Sequence, residues 1–264
     1  MTGRRPRSLR EHPLVVNSIR AAILALLGVG LEVGVRSGAL DPVFFSSPSA
    51  IYKAFIVQLG AGTLLRHTWT TLYEVALGFS AGAVIGMFCG LVLSRLRFVA
   101  EITVPFFMMV YGLPSIVLAP LFILWFGIGV LSKIAISIYV IFFSVFIAVY
   151  IGALQVEREL IDAVRAMGAT PRQIFWKVVV PATASNIYAA LKLGVGLALI
   201  SAIAGEFIAA RAGLGYMIFF ATGVLDTPTL YLGIIVLALF SVALQGGVNV
   251  LGRALVRWRF HDEK

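Results

Sequence analysis

The chain has 264 residues, of which 60% are apolar and only 12% charged, about half the charged share of a soluble domain, which excludes an ordinary globular protein in water. In a bilayer the same length suits five or six helical spans of about 20 residues with short connections. The formal charge of +9 does not argue for nucleic acid, because the basic residues sit between apolar runs rather than along one face, where they set membrane topology instead.

Residues 1–18, with Arg4, Arg5, Arg7 and Arg10, read as a short cytoplasmic tail. A first apolar span is expected over 19–36. The basic start and the small residues Ser37, Gly38 and Ala39 would also suit a cleaved signal peptide, but Glu32 and Arg36 sit badly before a cleavage site, and a retained span is expected. Residues 37–71 form an outer segment. Within it Ser47 and Pro48 start a short interfacial helix that places Ile51, Phe55 and Leu59 on one face.

The core is expected over 72–252. A second span, 75–93, carries no charge and spaces Gly78, Gly82, Gly86 and Gly90 four residues apart. Such a stripe admits another helix backbone at close range, inside the bundle or across a dimer. Arg95 and Arg97 then mark a cytoplasmic turn. The third span, 102–126, is interrupted by Pro105, Pro114 and Pro120. Carbonyls freed by proline are tolerated at membrane depth only where protein or a water-filled cavity receives them, so this span is a candidate for lining a pathway. Its polar neighbours Tyr111 and Ser115, with Ser144 in the fourth span (134–154) and Ser201 and Glu206 in the fifth (187–208), are the pathway candidates. Glu206 near the outer end of its span and Lys192 near the inner end are either functional or interfacial. A sixth span over 230–251 leads into a basic tail, 253–264, with Arg253, Arg257 and Arg259.

Between the fourth and fifth spans lies the one long charged passage, 157–181. Leu160, Ala163, Val164 and Met167 recur at helical spacing, with Glu157, Arg158, Glu159, Asp162 and Arg165 on the other faces. Gly168 suits a helix C-cap. Thr170, Pro171 and Gln173 form a capping box for a second helix, which Pro181 is expected to close. The passage is therefore a rigid helix-turn-helix, of the kind a membrane protein presents to a soluble partner.

The order Asp162-Ala163-Val164, three residues, Gly168, nine residues, then Val178, Val180 and Pro181 resembles the EAA loop of permease subunits in bacterial ABC importers. Asp replaces Glu, and Val replaces the second Ala, the Ile and the Leu. The stretch from Leu113 to Gly129, and Ala204-Gly205-Glu206 followed by Gly213-Leu214-Gly215-Tyr216, resemble the nitrate, sulfonate, taurine and thiamine-precursor branch. The resemblance implies an all-α, six-helix type I importer permease fold. It also implies two copies forming the pathway as a homodimer, two cytoplasmic ATPase subunits and an extracytoplasmic binding protein. It places Glu159, Asp162, Ala163, Arg165, Ala166, Gly168, Ala169, Arg172 and Pro181 on the surface coupled to the ATPase. A small anion such as a sulfonate, taurine or nitrate is the substrate implied, with a pyrimidine precursor as another.

Other features agree. The chain has no GxxxxGK[S/T] motif, so ATP and Mg are expected on the partner and no cofactor on this chain. His12, His67 and His261 have no metal-ligand spacing, and Cys89 is the single cysteine. With both termini cytoplasmic at the bacterial inner membrane, only Arg36, Lys53, Arg66, Lys133 and Arg211 fall outside, leaving 16 of the 21 basic residues inside. An ion-coupled secondary transporter is the alternative. It would have to rely on Glu206, Glu74 and Lys192, all near expected span ends. A membrane enzyme is disfavoured, because no Ser/His/Asp, HExxH or paired-Asp arrangement occurs at membrane depth.

Overall fold

The computed structural model describes residues 13–255, and every regular element among them is helical. Five helices are long and apolar enough to cross a bilayer, six spans in all when a bent pair is counted as one. The tails holding Arg4, Arg5, Arg7, Arg10, Arg257 and Arg259 lie outside the described residues. By contact the chain divides into two compact units, 13–63 with 218–234 and 64–217 with 235–255.

In the first unit α1 (Pro13–Arg36) begins inside the stretch expected to be tail, because no glycine or proline interrupts 14–27. Its apolar side chains, Leu24, Leu26 and Leu27 among them, are exposed, as lipid requires. The second helix, α2 (Pro48–Gly60), starts as the sequence indicates, with the Ser47 hydroxyl accepting from Ala50 N and Pro48 in its first turn. A second anchor was not legible. Glu32 of α1 accepts from Ser49 N at 3.0 Å and from Ser49 Oγ at 2.7 Å, and pairs with Arg36 at 2.6 Å. The two charges that looked awkward in the span thus tie α1 to the start of α2. From the later part of this unit, Thr227 donates to Val43 O at 2.7 Å and Tyr231 to Phe44 O at 3.2 Å.

The second unit is built around α6 (Val130–Leu154), whose Ile136, Ile141, Val145, Phe146 and Val149 are almost fully buried. Ile141, Val145 and Val149 of α6 join Val75 and Ala83 of α3 (Thr63–Arg95) with Leu191, Ala198 and Ala202 of α9 (Val180–Ile208) in one core. The glycine stripe of α3 faces α6 of the same chain, which decides between the two roles left open for it. A Cβ at Gly82 would stand 2.9 Å from Ile138 O, and one at Gly90 3.0 Å from Phe146 O.

The third apolar segment differs from the single interrupted span expected. It folds as α4 (Arg97–Tyr111) and α5 (Ser115–Phe126), bent by 96° at the break. Pro114 has no N–H to give to Val110 O, and the carbonyl accepts from Leu113 N at 3.0 Å and from a side chain instead. The Tyr139 hydroxyl of α6 donates to Val110 O at 2.6 Å and is also 3.0 Å from Leu113 O. Pro105 and Pro120 are carried inside their helices without a break. Around this bend Phe107 packs edge-on against Phe142, Phe143 and Phe146.

Pro181 does not close the second loop helix. A short α8 (Pro171–Ile174) runs through a π-turn, Phe175–Val179, directly into α9, so the span starts at Pro171 rather than at 187. Within the π-turn Val180 N reaches back to Phe175 O, and this wider turn admits a proline lacking its own N–H. The remaining helices, α7 (Arg158–Ala166), α10 (Leu214–Gly223) and α11 (Thr227–Leu255), complete the described chain.

Candidate functional site

The charged loop is fixed at both ends by its own backbone. After α7, Gly168 takes φ +85°, Gly168 N donates to Arg165 O at 2.9 Å and Ala169 N to Val164 O at 3.3 Å. These two bonds make a Schellman motif, which glycine alone adopts without Cβ strain. The next residues form the capping box: Gln173 N donates to Thr170 Oγ1 at 3.3 Å and Thr170 N to Gln173 Oε1 at 2.8 Å.

The face α7 presents is not the one its periodicity suggests. Ile161 and Val164 turn inward, while Leu160 and Met167 stand 49% and 85% exposed with Ala163 between them. Glu159, Asp162, Arg165, Ala166, Gly168 and Arg172 are also exposed, with Arg165 paired to Asp162 at 2.8 Å. Ala169 is half-buried and lines a cleft of about 530 Å³ behind the loop, together with Arg95, Arg158, Ile161 and Phe175. Pro181 stands apart from this surface, in an apolar groove with Phe79, Met87 and Tyr188.

Sequence reasoning took Arg95 only for a topology marker. It is the last residue of α3, and its guanidinium donates to Pro171 O at 2.9 Å while lying 4.3 Å from the centre of the Phe175 ring. The basic residue after a glycine-striped helix was its only signal.

The pathway candidates separate into two groups. Tyr111 and Ser144 meet in a cleft of about 350 Å³, joined by Asn186 of α9, which sequence reading missed. Ser115 opens α5, half-buried. Ser201 is buried, 3.2 Å from Ser137 Oγ and 3.0 Å from Ala198 O, so it packs helices.

Glu206 is 1% exposed and does not reach an interface. It accepts from Thr71 Oγ1 at 2.7 Å and from Gly215 N at 2.5 Å, which caps the start of α10; Leu214 N in turn donates to Thr71 Oγ1 at 2.8 Å. Gly213 and Gly215 leave no space for a Cβ against this carboxylate. The Glu74 carboxyl lies beside it, and Lys133, expected outside in a connection, is buried in the first turn of α6, donating to Ala209 O. His67 accepts from Gly213 N at 3.1 Å. Glu206 lies near the end of α9, as expected, and Lys133 in the first turn of α6, whereas Glu74 lies well inside its helix because α3 begins earlier than hydropathy alone indicates.

Helices long and apolar enough to cross a membrane, carrying a rigid exposed loop, place the chain among membrane-embedded subunits. The chain belongs to the family described as binding-protein-dependent transport system inner membrane component, which matches residues 82–258. It is similar to the riboflavin transport system permease protein RibX of Chloroflexus aurantiacus, 30% identical over 254 residues, 96% of this chain and 94% of that one. It is also similar to the putative aliphatic sulfonates transport permease protein SsuC of Bacillus subtilis, 30% identical over 239 residues, 90% of this chain and 85% of that one. A chain of the MetNI methionine ABC transporter in an inward-facing conformation shares the fold, with TM-score 0.66 and 21% identity over 75% of this chain and 98% of that one. The protein is thus a multi-pass inner-membrane permease of an ATP-driven ABC importer, a transport subunit that works with an ATPase and a substrate-binding protein.

Proposed function

We propose that two copies of this permease form the pathway and that the loop at 157–181 couples it to a pair of cytoplasmic ATPases. The observation that carries this reading is the exposed apolar stripe of Leu160, Ala163 and Met167 beside Asp162, Arg165 and Arg172, on a loop capped at both ends. A rigid amphipathic surface in water is unsatisfied until a partner covers it. ATP and Mg bind the partner, whose closure moves the loops and shifts the bundle from inward- to outward-facing; this chain performs no covalent chemistry. Both termini lie in the cytoplasm, in accord with the bias of basic residues.

The solute passes the cleft of Tyr111, Ser144 and Asn186, where hydrogen-bonding groups sit among apolar ones. It is a small organic molecule of the sort the relatives' names give, a sulfonate or a flavin-like heterocycle, with affinity residing in the binding protein. The absence of a basic side chain from this lining favours recognition by hydrogen bonding and ring stacking over a fixed counter-charge.

Co-purification tests the reading. The tagged permease, co-expressed with its ATPase and extracted in mild detergent, should retain it, and Gly168→Asp should lose the ATPase and abolish uptake while still inserting in the membrane. A permease that purifies alone and still moves solute in vesicles lacking ATP would return the ion-coupled alternative.

A further inference from the structure

The charged loop is joined by the chain to α6 before it and α9 after it, but α3 reaches it through space. Arg95 makes that link. Its guanidinium holds Pro171 O, the first carbonyl of α8, and lies over Phe175, a buried ring in the π-turn where α8 becomes α9. A planar cation that binds a carbonyl and a ring face together fixes both distance and direction, which an ammonium cannot reproduce. At its other end α3 carries Thr71 and His67, which hold Leu214 N and Gly213 N. Between the two ends the glycine stripe locks α3 onto the backbone of α6. Displacement of α8 by a docking partner therefore pulls on α3, and α3 delivers the pull to the turn before α10.

We infer that Arg95 is a positioning residue of the transport cycle, making α3 a through-space strut between the coupling loop and the 209–215 turn. The inference rests on the coupling reading above and adds to it a residue outside the loop.

The test uses the permease co-purified with its ATPase in nanodiscs, in a Cys89→Ser background with Ser144→Cys in the cleft. ATP hydrolysis is measured beside the reaction of that thiol with a membrane-impermeant maleimide, with and without ATP and vanadate. ATP-vanadate should change thiol reactivity in the parent. Arg95→Gln and Arg95→Lys should keep the ATPase bound and hydrolysing but reduce that change by at least about tenfold, the lower end of the worth of the charged hydrogen bond alone. Phe175→Leu should behave like Arg95→Lys, and Phe175→Tyr, which keeps the ring face, like the parent.

A full reactivity change in Arg95→Gln overturns the inference, as does equal behaviour of the two Phe175 variants. If Arg95→Gln fails to assemble, the Phe175 pair alone decides. A parent that binds no ATPase, or shows no ATP-dependent change, sinks the coupling reading and this inference with it. Loss confined to the Arg95 and Phe175→Leu variants supports both.

Discussion

Substituting Gly86 by alanine should loosen α3 from α6. The new Cβ would stand 2.7 Å from Phe142 O and 3.1 Å from Phe146 N. Both atoms are helix backbone and cannot rotate aside, so the helices must part by about 0.7 Å, a gap that forfeits a quarter to a half of each dispersion contact across the seam. Packing of this kind is the main attraction between helices in lipid. Overpacking costs about 1–3 kcal/mol, and alanine's better helix propensity offsets up to about 1 kcal/mol. The net loss of about 1–2 kcal/mol corresponds to a Tm lower by about 2–8 °C for a chain this long. Tryptophan fluorescence on heating in detergent at one scan rate reads it. The matched control is Gly196→Ala in α9, where a Cβ meets nothing within 4 Å and Tm should hold or rise. If Gly86→Ala melts with that control, the stripe is not a backbone seam.

Removal of the Glu206 carboxylate in Glu206→Ala leaves the buried Gly215 N and Thr71 hydroxyl without their acceptor, a loss of about 1–3 kcal/mol; trypsin should then cut faster after exposed Arg211, with Glu206→Gln affected less. An unchanged cleavage rate would contradict the cap. Tyr139→Phe strips the break at 112–114 of its outside donor and should lower stability by about 0.5–1.5 kcal/mol, read from the melting curve. Leu160→Lys with Met167→Lys should leave Tm unmoved, both sites being exposed, and reduce ATPase co-purification. Because Gly168 lies at φ +85° with open space around it, Gly168→Asn, which tolerates that conformation, should retain more co-purifying ATPase than Gly168→Val, whose β-branched side chain does not.

What the sequence revealed depended on how local the physics was. Capping at Ser47, Gly168 and Thr170 depends on residues three or four apart, and those starts and stops were readable to the residue. Span ends were not, because Thr71, Glu74 and Lys133 are polar and hydropathy breaks there, whereas the helices continue with those groups buried beside Glu206 of α9 and the Ala209 carbonyl at its end. Pro181 and Pro114 have the same local chemistry and opposite outcomes: a π-turn absorbs the first, and the second breaks the helix at a point where a tyrosine 25 residues on supplies the bond. That partner, like Arg95 for Pro171 and Asn186 for the cleft, lies far along the chain, and no single-sequence periodicity reports it.

The bend between α4 and α5 has a mechanical consequence. An unbroken helix resists changes of direction because each bend must stretch or break backbone bonds inside it, but here the carbonyls at the corner are already held from outside, by one phenol on α6. The 96° angle can therefore open or close at the expense of one side-chain hydrogen bond shared between two carbonyls, about 0.5–1.5 kcal/mol, with both helical arms intact. A hinge that can turn without unwinding either arm thus stands beside Tyr111, one wall of the cleft proposed above as the pathway.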